Sequence, residues 1–355
     1  MHGHSRRTLA LFRGLNHLAG IALFLAVPAL IFGAWSAGGD KQSPSSGSMQ
    51  KSDGPAAQAR AIDFSSKHDI LIKNEDGSLT PMDVPYFKST LVAPGTWQIL
   101  SDGDYSYLVE GEDEALVIDS GYGAGNIREY CQSLTKKPVR NIANTHDHFD
   151  HTANNSYFER AYMSAETKKK ATIPFPSFEG ITFPRDYPIE VIGDGYRFQL
   201  GNRELEVLEI PNHASGSLAF LDKRERILFS GDEIMPMGVR LNCSVAQFEK
   251  NMRKIAARRS EYDRLCAGFG VFDASYVDKF LANAQHVLAG HEGGPVQPRP
   301  RPAAATDAPS GPVIYGRRMP RPGDVPKNIG QTNEYQRKMS YEGCDITYDV
   351  RRVRE

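Results

Sequence analysis

"THDHFDH", residues 145–151, decides how this chain is read. Three histidines and two aspartates fall between His146 and His151. The stretch just before it, "VRNIAN", reads as a strand, so the cluster sits at a strand end. On an extended segment, side chains two apart point the same way, which places His146 and His148 side by side. Asp150 and His151 supply a second pair one step further on. Imidazoles interleaved with carboxylates form a donor set for a transition metal, zinc and iron included. The whole chain has 10 histidines, and three of them in six positions is a concentration that an ordinary solvated loop does not explain.

The rest of the composition narrows the class. With 355 residues and 40% hydrophobic content, the chain can bury a sizeable core. A net charge of −1 gives no basic field, so no nucleic-acid partner is expected. The 4 cysteines (Cys131, Cys243, Cys266, Cys344) show no CxxC spacing, which is neither a disulfide framework nor a cysteine zinc site.

Residues 1–36 read as an export signal: arginines at 6, 7 and 13, an apolar run from about Gly20 to Trp35, then small residues before Ala37. The run is short for a membrane span, which needs about 20 apolar residues. A cleaved signal peptide is therefore the expectation, with an uncleaved membrane anchor as the alternative. Ser5-Arg6-Arg7-Thr8-Leu9 resembles the twin-arginine signal. The expected location is periplasmic or secreted, with membrane contact only through an uncleaved N-terminus.

Residues 37–84 are rich in Gly, Ser and Pro at first and read as a linker and N-terminal extension. From 85 to 292, strand patterns such as "EALVID", "SLAFLD" and "RILFSG" alternate with amphipathic helices such as "SVAQFEKNMRKIAARRSEYD". That is an α/β chain with one main domain. Residues 293–355, Pro/Arg-rich and then polar, are expected to form an extended tail.

With these residues in hand, the chain is identified as similar to the metallo-β-lactamase superfamily. "THDHFDH" resembles its H-x-H-x-D-H signature. "VIDSGYG", "IPNHASGSLAF" and "LFSGDEI" resemble the segments that bring Asp119, His213 and Asp232. The resemblance covers about residues 85–292 and implies an αββα four-layer sandwich with metals at one edge. It implies that His146, His148 and His213 bind a first ion, that Asp150 and His151 bind a second, and that Asp232 bridges them. Asp119 would orient a ligand imidazole. The family pattern has one more histidine after the last strand, where this chain has Phe269. His291 is the remaining candidate, but it follows the last helix, which speaks against it. One tight zinc and a second, weaker ion are expected, with manganese and iron as alternatives.

A divalent cation acidifies water near neutral pH, which suits hydrolysis. With an aspartate at the bridging place, the chain resembles glyoxalase II and the lactonases more than the β-lactamases proper. The implied function is metal-dependent hydrolysis of an ester, lactone or thioester on a small-molecule substrate, with Asp150 and Asp232 in catalytic places. The alternatives are a mononuclear iron redox protein resembling the sulfur dioxygenases, a β-lactam hydrolase, and a non-catalytic relative. Phe175, Phe178, Met237 and Arg240 are candidates for lining the substrate pocket.

Overall fold

The computed structural model describes residues 87–101, 104–121, 126–172, 185–296 and 334–355, and the backbone of short strands at 60–61, 71–73, 79–81, 181–182 and 314–315. The expected export signal, and the candidates Phe175 and Phe178, lie outside the described residues.

Two mixed sheets carry the molecule. The first has seven strands in the order Ile189–Val191, Arg160–Met163, Val139–Ala143, Ala115–Ile118, Asp104–Glu110, Thr96–Ser101, Lys88–Ala93. The second has six, in the order Arg197–Gln199, Glu204–Glu209, Leu218–Asp222, Ile227–Gly231, Arg264–Ala267, Gly270–Asp273.

The period-2 pattern of these strands shows what each face packs against. Tyr107, Val109, Leu116 and Ile118 of the first sheet meet Leu205, Val207, Phe220 and Phe229 of the second in one buried cluster. The alternate residues Leu108, Val117 and Ile142 face outward onto Ile127 and Cys131 of α1 (Ile127–Leu134) and Ala171 of α3 (Ala165–Ala171). On the other side Leu208, Leu221, Leu228 and Leu265 face Phe248 and Met252 of α4 (Val245–Ala256) and Phe280 and Ala284 of α5 (Tyr276–Leu288). Helix, sheet, sheet, helix is the αββα sandwich. Ala115–Ile118, Leu218–Asp222 and Ile227–Gly231 are buried at every position because both faces are covered.

A buried cation ties the two sheets together. Arg203, 3% exposed, pairs with the fully buried Asp222 of its own sheet. Its guanidinium also donates to the Gly95 carbonyl at 2.8 Å and Thr96 Oγ1 at 2.6 Å, at a turn of the other sheet. A counter-ion and hydrogen-bond acceptors on both sides are what make a buried charge tolerable.

The C-terminal expectation needs correction. Residues 334–355 are no extended tail: Gln336–Tyr341 and Cys344–Asp349 form an antiparallel hairpin. Met339, Cys344, Ile346 and Tyr348 alternate along it and are buried in the same cluster as α4 and α5. Burial of such side chains stabilises by roughly 1.5–3 kcal/mol each, enough to dock a short segment. The hairpin joins Val239–Arg240 and Gly294–Pro295 in a separate four-stranded sheet. Part of the stretch 37–84, read as linker and extension, also holds short strands, at Arg60–Ala61, Leu71–Lys73 and Leu79–Pro81.

Candidate metal centre

Adjacent strand ends bring the acidic and imidazole groups together. Asp119 follows the strand Ala115–Ile118, His146 follows Val139–Ala143 by two residues, and Asp232 follows Ile227–Gly231. The last two come from different sheets, and glycine lets them meet. A Cβ on Gly231 would stand 2.5 Å from Thr145 Oγ1, so no larger residue fits there without displacement. Asp150 and His151 ride on the single helical turn α2 (Phe149–Thr152), whose N-terminal flank is His148.

One donor atom each from His146, His148 and His213 lies within 4.8 Å of the others, and the same holds for His146, His151 and Asp232. His213 Nε2 and His148 Nδ1 are 3.2 Å apart. Nitrogens bound tetrahedrally to zinc at its usual bond length stand about 3.3 Å apart. His151 Nε2 lies 3.5 Å from Asp232 Oδ1 and 3.9 Å from Asp150 Oδ1, and Asp232 Oδ2 lies 3.9 Å from His213 Nε2. Asp232 thus stands between the two groups, and Asp150 stands beside His151.

The buried atoms give the test of fit. His146 Nε2, His151 Nε2 and Asp232 Oδ1 are buried with no hydrogen-bond partner. Buried polar groups are nearly always partnered, and three orphans in one cluster fit a cation seated among them. The other ring nitrogens are occupied in a way that leaves these atoms free. His151 Nδ1 bonds Asp119 Oδ2 at 2.9 Å, His146 Nδ1 meets Thr145 Oγ1 at 3.1 Å, and His213 Nδ1 donates to the Arg240 carbonyl at 3.3 Å. A partnered Nδ1–H leaves Nε2 as the lone-pair donor.

The charges around the cluster act in opposite directions on its rings. Burial first, then the His151, His148 and His213 rings, hold His146 well below the usual imidazole range, which keeps it neutral. Burial also acts against a charged His151, but Asp119, Asp150 and Asp232 outweigh it and raise that ring well above the usual range. Asp232 feels burial most strongly, yet the His151, His213 and His148 rings hold its carboxyl below the ordinary value.

Asp119 holds its place under strain. Its φ is +59°, a left-handed conformation that costs a non-glycine residue roughly 1–2 kcal/mol. Three bonds offset this: the Thr145 N–H at 2.8 Å, Thr145 Oγ1 at 2.7 Å and His151 Nδ1.

Sequence reading missed four supporting residues. Thr145 links Asp119 to His146. The Asn144 amide and the backbone and hydroxyl of Ser120 all donate to the His151 carbonyl, at 2.8 to 3.1 Å. Glu233, fully buried, accepts from the backbone N–H groups of Asn212, His213 and Ala214 at 2.7, 2.7 and 3.1 Å and so shapes the loop that presents His213. Burial pushes Glu233 up to about 7 despite those donors. The only signal for it was its place directly after Asp232.

The remaining candidates divide. Phe269 lies on the turn beside the cluster: a Cβ on its neighbour Gly268 would stand 2.2 Å from Asp232 Oδ1 and 3.2 Å from His151 Cε1. Phe269 itself is 38% exposed. His291 is not brought to either cluster and instead stacks on His286 at 3.8 Å, at the end of α5. Met237 is 68% exposed, and Arg240 is exposed with its carbonyl on His213.

Residues 102–242 match the metallo-beta-lactamase superfamily. The acyl-coenzyme A thioesterase MBLAC2 of Homo sapiens is 29% identical over 161 residues, which is 36% of this chain and 57% of that protein. The hydroxyacylglutathione hydrolase of Methylococcus capsulatus is 28% identical over 174 residues, 48% of this chain and 63% of that one. This chain thus spans about three fifths of the length of these curated relatives. A metallo β-lactamase structure from Erythrobacter litoralis aligns with a TM-score of 0.45 at 17% identity, over 56% of this chain and 96% of that one.

Proposed function

We propose that the chain is an exported, metal-dependent hydrolase that cleaves a thioester, or a related ester or lactone. The observation that carries the reading is the convergence of three buried, unpartnered donor atoms, His146 Nε2, His151 Nε2 and Asp232 Oδ1, beside the His148–His213 pair. His146, His148 and His213 would hold one ion, Asp150 and His151 a second, with Asp232 between them. A bound divalent ion, zinc on this donor chemistry, supplies acidified water and withdraws electrons from the acyl carbonyl.

The chain's own groups do the rest. Asp150, with its side chain 24% exposed, is the open carboxylate of the cluster and takes the proton of incoming water at its Oδ atoms. Asp119 and Thr145 keep His151 and His146 in one tautomer throughout. Met237 and Phe269 give the rim apolar surface suited to an acyl chain. The thioesterase and hydroxyacylglutathione hydrolase relatives favour a thioester among the possible acyl substrates.

The test is metal content by plasma emission together with a panel of acyl-coenzyme A, hydroxyacylglutathione, lactone, aryl ester and β-lactam substrates. Thioester turnover that vanishes in His148→Ala and on chelation is expected. Protein that neither retains nor takes up zinc, and hydrolyses none of these, overturns the reading. Export is tested separately: the recovered mature protein should begin near Ala37, and an intact Met1 on the recovered protein overturns that part.

A further inference from the structure

We propose that the C-terminal hairpin, Gln336–Asp349, is a positioning element of the metal centre that acts on His213 through residues 239–242. The inference rests on the metal-binding reading above and adds a part of the chain that lies beyond the matched residues 102–242.

Two contacts that fix the His213 loop come from one short segment. The Arg240 carbonyl accepts from His213 Nδ1 at 3.3 Å, and the Asn242 N–H donates to the Asn212 carbonyl at 2.7 Å. That segment is held by the burial of Val239 in the core and by its strand pairing. Val239–Arg240 is an edge strand, and among the described residues its one strand neighbour is Cys344–Asp349. The pairing is parallel, with Val239 opposite Ile346 and Arg240 opposite Thr347, and it continues as the Leu241 N–H donating to the Thr347 carbonyl at 2.8 Å. Arg352, just past the hairpin, donates to the Asn242 carbonyl at 2.9 Å. The close approach is built in: at Gly238, φ +119°, an added Cβ would stand 3.1 Å from Asp345 Cβ.

The hairpin is itself anchored from elsewhere. Ile346 and Tyr348 are buried against α4 and α5, and the Asn283 amide donates to the Cys344 carbonyl at 2.9 Å. It therefore transmits the position of the outer helical layer to the ligand loop. The bond on Nδ1 sets where a ligand imidazole points its Nε2, and partners of this kind are typically worth 10–100-fold in metal affinity.

The experiment measures zinc affinity by chelator competition and the visible spectrum of the cobalt-loaded full chain. The variants are Ile346→Asp, which places a carboxylate in the buried face of the hairpin, and Arg352→Ala, with Arg352→Lys as the conservative rescue. Arg160→Ala, which removes an exposed pair with Glu190 in the seven-stranded sheet, is the control. Ile346→Asp should weaken zinc binding about 10–100-fold and change the cobalt bands. Arg352→Ala should weaken it several-fold, with Arg352→Lys partly restoring it and Arg160→Ala at the wild-type value. Hydrogen exchange over 336–349 reports whether Ile346→Asp has undocked the hairpin. Wild-type affinity and spectrum with the hairpin undocked overturn the proposal. Should Ile346→Asp fail to fold or stay docked, wild-type affinity and spectrum in Arg352→Ala overturn it alone. A wild-type chain that binds no zinc overturns both this proposal and the functional reading, whereas zinc binding without thioester turnover touches only the latter.

Discussion

Asp119 Oδ2 stands 2.9 Å from His151 Nδ1, and both residues are buried. This contact fixes the tautomer and the direction of the one imidazole that faces both Asp150 and Asp232. Asp119→Asn keeps the size but replaces a charged acceptor by an amide. The expected result is a 10–100-fold loss of turnover and of affinity for the ion held by His151. Chelator competition on the variant checks it, and wild-type affinity would contradict it.

Glu233 gathers three backbone N–H groups of the His213 loop. Glu233→Ala leaves the His213 and Ala214 N–H groups without their acceptor, while the Asn212 N–H keeps the Ile210 carbonyl, at about 1–3 kcal/mol for each group left unsatisfied. Glu233→Gln keeps one carbonyl oxygen and should recover part of the loss. Urea unfolding of both variants, set beside metal content, measures this. Equal stability of the Ala and Gln variants would count against the role given to the carboxylate.

Phe269 follows Gly268, where an added Cβ would meet Asp232 and His151, so a histidine at 269 would be adjacent to the second group of donors. Phe269→His is expected to raise the number of zinc ions retained after exhaustive dialysis from one towards two per chain. The wild type should keep one tightly, because three protein donors leave a site more open than four. Plasma emission on dialysed protein gives the count, and two tightly held ions in the wild type would refute the prediction.

Arg203 and Asp222 form a pair buried to 3% and 0% exposure. Removing the cation leaves Asp222 uncompensated. Arg203→Met should cost about 3–5 kcal/mol of unfolding free energy. A double variant with Asp222→Asn should cost less than the sum of the single changes, read from denaturant midpoints at constant m.

Acid sensitivity has an identifiable source at the other end of the second sheet. The Arg258 guanidinium, bonded to both, holds Glu206 at about 2 and Glu261 at about 2, with Lys223 assisting. Their folded pKa values lie below the unfolded ones, so the stabilisation is complete above about pH 4.5 and is lost as the pH falls towards 2. Glu206→Gln should therefore flatten the decline of Tm between pH 4.5 and 2.5 while lowering Tm at pH 7. Thermal melts across that range decide it. An unchanged acid slope would mean that other carboxylates dominate.

The donors were legible in the sequence because metal chemistry dictates residue types at short spacings: His146, His148, Asp150 and His151 lie in one turn of chain. The strands were legible because apolar runs such as "ALVI" and "ILFSG" are covered on both faces. The groups that orient the donors were not. Thr145 and Glu233 act through contacts that only the fold creates, and their places beside His146 and Asp232 were the only mark they carried. The hairpin escaped for another reason. In "CDITYDV" the buried Cys344, Ile346 and Tyr348 alternate with polar residues, which is a half-buried strand pattern. Placed after a long Pro/Arg-rich stretch, it reads as part of a polar tail.

The gathering of donors from both sheets at one edge has a mechanical meaning. His146, His148, Asp150 and His151 follow strands of one sheet, while His213 and Asp232 follow strands of the other. An ion seated among them is a clasp across the open rim of the sandwich as well as a reagent. Loading and folding then become one linked equilibrium. Free metal at a hundred times its dissociation constant adds about 2.7 kcal/mol to the closed form.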